Sequence, residues 1–181
     1  MSRVIALGAL LGLCASLYAV YVEAEMGAAA ALGTEYSAAC DGLDLRWLGL
    51  GVQKSSCSKV LSSEYAHALS MALPSLAPRG SALDISNAAL GALFYAAALL
   101  AEPLGAALGL RSLARKALLT ASLGSLAFSV FLAYILKVVL REFCVVCVTM
   151  YVANVLVFGG AAALMLPRRS AAAASARAKS E

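Results

Sequence analysis

Charge is what this sequence has least of. Fourteen Lys and Arg and ten Asp and Glu make up 13% of its 181 residues, about half the charged share of an ordinary soluble domain. That shortage excludes a large soluble enzyme, a disordered regulator and a nucleic-acid-binding protein. There is one histidine, one tryptophan and no Asn-x-Ser/Thr sequon. With a single histidine and no second C-x-x-C, the cysteines lack the partners of a structural zinc site. Apolar residues fill the space instead, at 62% of the chain, with a mean hydropathy of +0.87.

The few charges are also unevenly spread. Residues 4–22, 85–101, 117–136 and 143–167 contain none. A helix needs about 20 apolar residues to cross the hydrocarbon. The pattern predicts a single all-α polytopic membrane domain over 1–181, a bundle of four transmembrane helices at those four windows. The remaining sizeable piece, 23–84, is expected to form a loop and cap between the first two spans. Lys and Arg near short loops mark the cytosolic side. Arg3, Arg111, Arg115, Lys116, Arg168, Arg169, Arg177 and Lys179 fall on one side, with only Glu102 and Glu181 among the acids. The other side holds six basic and eight acidic residues. Both termini are therefore expected in the cytosol, the 168–181 tail among them as a disordered segment, and the cap in the lumen or outside. The first apolar run is too long for a signal peptide and reads as an uncleaved anchor, although the Ala-rich 24–31 stretch offers a cut site.

Within the cap, 23–39 reads as a short helix and a loop. Residues 40–60, with Gly42, Gly49 and Gly51, read as a flexible loop. The spacing of Leu61, Tyr65, Ala68 or Leu69, and Ala72 predicts an amphipathic helix over 58–73 that Pro74 and Pro78 end. Asp84 and Ser86 are the candidate caps of the second span, and Pro103 its expected end. Span three must be the antiparallel neighbour of span four, since only about six residues connect them. Pro167 and the Arg168-Arg169 pair stop span four.

Five cysteines carry the chemistry. Cys14 lies mid-span and reads as packed apolar filling. Cys40, Cys57, Cys144 and Cys147 all fall on the non-cytosolic side, where disulfides persist. Cys144-Val-Val-Cys147 opens a helix, and the helix dipole there favours a thiolate. Arg141 adds to that field and Glu142 opposes it. A static disulfide is the plainer reading of a lone C-x-x-C. Steps of 3, 4 and 3 put Cys144, Cys147, Tyr151 and Asn154 on one helix face, and Asn87, Gly91 and Phe94 share a face on span two. Intramembrane polar groups of this kind either fasten helices or face an interior site. Asn87 can equally be a helix cap. Together Asn87, Tyr151, Phe94, Leu90 and Val148 outline an apolar pocket with a few hydrogen-bond donors beside a dithiol. A quinone fits it, because dithiol and quinone both exchange two electrons. Cys40 and Cys57, in a mobile loop, form either a loop staple or a relay by thiol–disulfide exchange.

Cys40-Asp41, Cys57-Ser58-Lys59-Val60, Ser62-Ser63, Ser86-Asn87, Phe94-Tyr95, Phe143-Cys144-Val145-Val146-Cys147-Val148-Thr149, Tyr151 and Ser16-Leu17-Tyr18-Ala19 together resemble the vitamin K epoxide reductase family, in order and over roughly residues 10–166. The resemblance implies a four-helix bundle of the endoplasmic reticulum membrane with its active site on the luminal side. It implies reduction of vitamin K epoxide to the quinone and of the quinone to the hydroquinone. Cys144 and Cys147 become the active dithiol, with Cys147 the nucleophile. Cys40 and Cys57 become the shuttle pair, Cys57 passing electrons to Cys144 and Cys40 meeting luminal thioredoxin-like partners. Asn87 and Tyr151 become hydrogen-bonding partners of substrate and of coumarin-type anticoagulants. Leu61, Leu90 and Phe94 become pocket walls. No tightly bound cofactor or metal is implied beyond the two redox-active disulfides, Cys40–Cys57 and Cys144–Cys147. No nucleic acid is implied, and membrane lipid surrounds the bundle.

Three departures stand out. Sixteen residues separate Cys40 from Cys57, a long insert that includes Trp47. Glu64-Tyr65-Ala66-His67-Ala68 replaces the family's Arg-Trp-Gly-x-Gly, with His67 expected at the surface. Leu61 and Leu90 replace aromatics. Two rival readings use the same residues: a quinone-dependent generator of disulfides like the bacterial DsbB-type oxidases, and a non-enzymatic four-span scaffold with structural disulfides.

Overall fold

The chain's charge-free windows become its four long helices. The computed structural model describes residues 2–44, 54–72, 74–75, 77–81 and 83–166. Helix α1 is Arg3–Ala31. Two short helices follow, α2 (Cys57–Leu61) and α3 (Ala68–Ala72), separated by a 3₁₀ turn at Glu64–His67. Then come α4 (Asn87–Ala107), α5 (Arg111–Tyr134), a π-helical turn at Ile135–Val139, and α6 (Val145–Met165). The described residues hold no strand, only an isolated bridge between Asp44 and Lys54. Helices α1, α4, α6 and α5 with its π turn are each long and apolar enough to span a membrane. The Trp47 insert, Pro167 and the 168–181 tail lie outside the described residues.

Several ends differ from expectation for identifiable reasons. Helix α1 is about 43 Å long at 1.5 Å per residue, so it outreaches a hydrocarbon core of about 30 Å. The Ala-rich 24–31 stretch simply continues it, because alanine is the best helix former. It stops at Gly33, whose φ of 69° is open to glycine. There the Thr34 N–H donates to the Ala29 carbonyl at 2.9 Å and the Gly33 N–H to Ala30 at 3.2 Å. Helix α4 ends in the same way at Gly109, with the Leu110 N–H on the Gly105 carbonyl at 2.7 Å. Pro103, expected to close the second span, therefore lies inside α4. The helix expected over 58–73 is broken instead. The Ser63 hydroxyl donates back to the Val60 carbonyl at 2.7 Å and that of Ser62 to Lys59, which ends α2 early.

The four long helices form a closed ring. Helix α1 packs on α6 and α4, and α5 packs on the same two. Helix α4 starts at the end carrying the cap, α5 returns to it, and α6 leaves it. At the opposite end Arg115 donates to Glu102 from Nε at 2.7 Å and from a terminal nitrogen at 3.3 Å, tying α5 to α4. Small residues let the helices approach, as membrane interfaces require. A Cβ on Gly12 would lie 2.2 Å from Tyr95 Cζ, one on Gly8 2.7 Å from Leu156 Cβ, and one on Gly160 2.6 Å from Ile5 Cγ1. The fully buried Tyr95 is the bolt of the mid-bundle core. Its hydroxyl meets Asn154 Oδ1 at 2.8 Å and the Met150 carbonyl at 3.0 Å, and Asn154 Nδ2 donates to Ser129 Oγ at 2.7 Å. One network thus joins α4, α6 and α5, and Asn154 takes the fastening role. Cys14 is exposed on the outside of α1 rather than packed inside it.

Gly12→Ala should lower the unfolding temperature in detergent, at an overpacking cost of about 1–3 kcal/mol. Gly27→Ala, on the same helix with nothing within 4 Å of its new Cβ, should not. Equal effects of the two would contradict the packing described.

Candidate active site at the cap end of the bundle

Asp41 organises the loop that carries two of the cysteines. Its carboxylate accepts the N–H groups of Ala38 at 2.9 Å and Ser58 at 3.0 Å, and the hydroxyls of Ser58 and Ser37. Burial alone would push this carboxyl up, but the Ser58 and Ala38 bonds outweigh it and hold it below the usual range. The loop closes with a Cys40–Cys57 disulfide, Cα to Cα 6.1 Å. Those two sulfurs and Asp41 are near enough to hold a metal, but disulfide-bonded sulfurs have no thiolate to offer one.

The segment that ends at Cys57 is stitched to the segment that ends at Cys144. The Ser56 N–H donates to the Phe143 carbonyl at 2.8 Å, and the Val145 N–H donates to Ser55 Oγ at 3.3 Å. Ser55 Oγ is also 3.4 Å from the Cys57 sulfur, and Lys59 pairs with Glu142. That pairing, with the Ser56 hydroxyl, lowers the Glu142 carboxyl. Cys144 is its own helix's N-cap, its sulfur accepting the Cys147 N–H at 3.3 Å. The side chains of a C-x-x-C at a helix start are thereby aimed at one another. Both are free thiols. Cys57 and Cys144 are 0% exposed and Cys147 is 9% exposed. All four cysteines belong to one apolar cluster with Ala19, Val22, Leu61, Leu136 and Val146.

Two adjoining cavities open beside this cluster. The first, about 60 Å³, runs under the cap and is lined by Cys147, Asn87, Tyr151, Leu61, Tyr65 and Glu23 among others. The second, about 250 Å³, continues between α4, α5 and α6 and is lined by Asn87, Tyr151, Leu90 and Phe94. Asn87, Tyr151 and Met150 line both. Of the pocket residues expected from sequence, Asn87, Tyr151, Phe94, Leu90 and Leu61 border one space or the other, but Val148 borders neither. Cys147 borders the first and Cys144 does not. The walls are apolar and the polar groups few, the usual make-up of a small-molecule site.

Asn87 has a second task. Ser86 is the actual N-cap of α4, accepting the Ala89 N–H at 3.2 Å. Asn87 instead clasps the cap, accepting the Ala68 N–H at 3.2 Å and donating to the Tyr65 carbonyl at 2.6 Å. One amide hydrogen remains for the cavity. Asp84, expected as a helix cap, anchors the cap's far side. It accepts the Gly80 N–H at 2.9 Å and the Ser70 hydroxyl, with His67 Nδ1 at 2.9 Å. His67 is thus a partner of Asp84, with its side chain still 40% exposed at the surface. Sequence reasoning missed Glu23, Tyr65 and Met150 as cavity residues. Glu23 carried a signal: Gly12, Ser16, Ala19 and Glu23 step by 4, 3 and 4, so the stripe of small residues on α1 leads straight to it.

The Gly80 N–H, then the Ser70 hydroxyl, against some burial and with help from His67, hold the Asp84 carboxyl at about 2, down from 3.8. The stabilisation it lends the cap is complete above the unfolded value and disappears as pH falls through the folded one. Amide exchange over 64–72, corrected for intrinsic rate, should stay protected above pH 3.8 and rise as pH drops toward about 2. Asp84→Asn should raise it at neutral pH. A protection profile flat across that range would contradict the anchor.

Known proteins give the same picture. The model of the vitamin K epoxide reductase family matches residues 3–161. The chain is 40% identical over 146 residues to vitamin K epoxide reductase complex subunit 1 of Mus musculus, covering 81% of this chain and 79% of the mouse protein. It is 38% identical over 145 residues to the same subunit of Rattus norvegicus, covering 80% and 78%. With four apolar helices, a C-x-x-C at the start of the last and a second cysteine pair stitched beside it, the chain belongs to the vitamin K epoxide reductase family.

Proposed function

We propose that this protein reduces vitamin K 2,3-epoxide to the quinone and the quinone to the hydroquinone, using the Cys144/Cys147 dithiol. One observation carries the reading: of the four clustered cysteines, Cys147 alone borders an apolar cavity, and Cys144 lies directly behind it. In the epoxide step the Cys147 thiolate attacks a ring carbon, the C–O bond breaks, and the oxygen takes a proton. Cys144 then attacks the Cys147 sulfur. The S–S bond forms, the C–S bond breaks, and the electron pair left on carbon expels hydroxide, which leaves as water with a second proton. In the quinone step the same attack and release place both protons on the two oxygens. Each turnover consumes two thiols and leaves one Cys144–Cys147 disulfide. Asn87 and Tyr151 donate to the substrate oxygens, whose charge grows in a site with little water. Coumarin-type anticoagulants compete for the same donors.

The disulfide is recharged by exchange. Cys57 attacks Cys144 and frees Cys147, Cys40 attacks Cys57 and frees Cys144, and the resulting Cys40–Cys57 disulfide is reduced by a luminal thioredoxin-like dithiol. The stitching of 55–57 to 143–145 supports this order. The charge asymmetry supports both termini in the cytosol and this end on the opposite side of the membrane, and the family likeness supports the endoplasmic reticulum lumen as that side.

The test is epoxide turnover in microsomes. Wild type with a small dithiol should yield quinone and hydroquinone, and Cys147→Ala should fall to the no-enzyme background. Cys57→Ala should keep activity with the small dithiol, which reaches the active disulfide directly, and lose it with a protein dithiol. Full turnover by Cys147→Ala would sink the mechanism. Turnover by Cys57→Ala with the protein dithiol would sink the relay.

A further inference from the structure

Glu23 is a carboxyl group that the proposed chemistry has not used. It sits on α1 at the edge of the membrane-spanning core, half-buried, and lines the first cavity together with Cys147, Asn87 and Tyr151. Its Oε1 is buried and has no hydrogen-bond partner, the one such side-chain atom among the described residues. Buried polar groups are nearly always paired, and an orphan calls for an explanation. Here the unpaired oxygen borders the small cavity that Cys147 also lines, which adjoins the larger one between α4, α5 and α6. The groups around it narrow its role. Asn87 lines the same cavity from α4, with Ser86, the N-cap of that helix, near the Glu23 carboxyl. Tyr65 lines the same space from the cap, and His67 is a basic side chain near it. Cys147 and Tyr151 face it from α6, and α5 with the π turn and its end contributes only Leu132, Ile135, Leu136 and Leu140. No Lys or Arg lines the cavity, so this carboxyl is not half of an ion pair there.

We infer that Glu23 is the proton carrier of the site, taking the thiol proton of Cys147 and delivering it to the substrate oxygen. The inference rests on the functional reading above and supplies the acid which that reading leaves unnamed. Two negative charges in one small, dry cavity repel, so the thiolate of Cys147 goes with the protonated form of Glu23. As Cys147 bonds to carbon, the substrate oxygen becomes negative and takes the Glu23 proton. Glu23, again a carboxylate, then accepts the proton of Cys144 as that thiol attacks the Cys147 sulfur. It passes this second proton to the departing hydroxide, making water, or to the second quinone oxygen. Two thiol protons enter and two leave on product, and Glu23 ends as it began.

The experiment compares wild type, Glu23→Gln and Glu23→Ala in nanodiscs, with a small dithiol and vitamin K epoxide, across pH. Glu23→Gln should lower kcat about 100-fold or more, leave KM nearly unchanged, and remove one limb of the kcat–pH profile. Formate should restore part of the turnover of Glu23→Ala and none to Cys147→Ala. If Glu23→Gln fails to form the Cys40–Cys57 disulfide and so has not folded, Glu23→Asp takes its place, and it should keep the limb at a lower rate. Wild-type turnover with a wild-type pH profile in Glu23→Gln overturns the assignment while leaving the functional reading intact. So does loss in Glu23→Ala that formate cannot repair, or an Asp variant lacking the limb. A wild-type protein that turns over no epoxide overturns the functional reading, and the role of Glu23 with it.

Discussion

The short seam between residues 55–56 and 143–145 is the contact on which the rest of this structure depends. It is only two hydrogen bonds, Ser56 N–H to Phe143 and Val145 N–H to Ser55, reinforced by the Lys59–Glu142 pair. Its value lies in where it sits. The first N–H groups of α6 have no partner within their own helix, and in an apolar cluster they cannot remain bare. Ser55 satisfies one of them and Cys144 another. In satisfying them, the cap delivers Cys57 to the same buried cluster as the dithiol. A helix-end requirement and a redox requirement are met by the same atoms.

The bundle and the cap divide the work. The bundle is rigid where Tyr95 joins three helices and where glycines hold α1 tight against its neighbours. Below the cap it leaves space between α4, α5 and α6, and farther from the cap a second gap between α4 and α5. The cap is held by side chains of the bundle's rim, Asn87 under the 3₁₀ turn and Asp84 at its far side. Each anchor consists of a few side-chain hydrogen bonds. The cap holds a Cys40–Cys57 disulfide, while the thiols of Cys144 and Cys147 beside it are free.

Much of this was legible in the residues. The four spans followed from the absence of charge, because lipid tolerates so little of it. The alignment of Cys144, Cys147 and Tyr151 followed from helix geometry, as did the pocket position of Phe94. Helix ends were less legible. Pro103 suggests a stop, but the actual stop is six residues on at Gly109, where the backbone turns left-handed. The break in the 58–73 helix came from serine hydroxyls competing for carbonyls, which period alone does not register. Asn154 shares a face with the thiols yet bonds to Tyr95 and Ser129, since a face of a helix is wide enough to serve both a site and a core. The Ser55–Val145 contact joins residues 90 apart, and nothing in the local pattern of either segment announces it.

The most direct measurement is to leave Cys57 and Cys144 as the only members of their pairs. In the double variant Cys40→Ala, Cys147→Ala, oxidised mildly in the membrane and mapped by mass spectrometry, the account predicts a single intramolecular Cys57–Cys144 disulfide in most molecules. If both thiols instead stay open to alkylation, or pair with Cys14 or between chains, the seam does not present one cysteine to the other, and the relay from cap to dithiol is wrong.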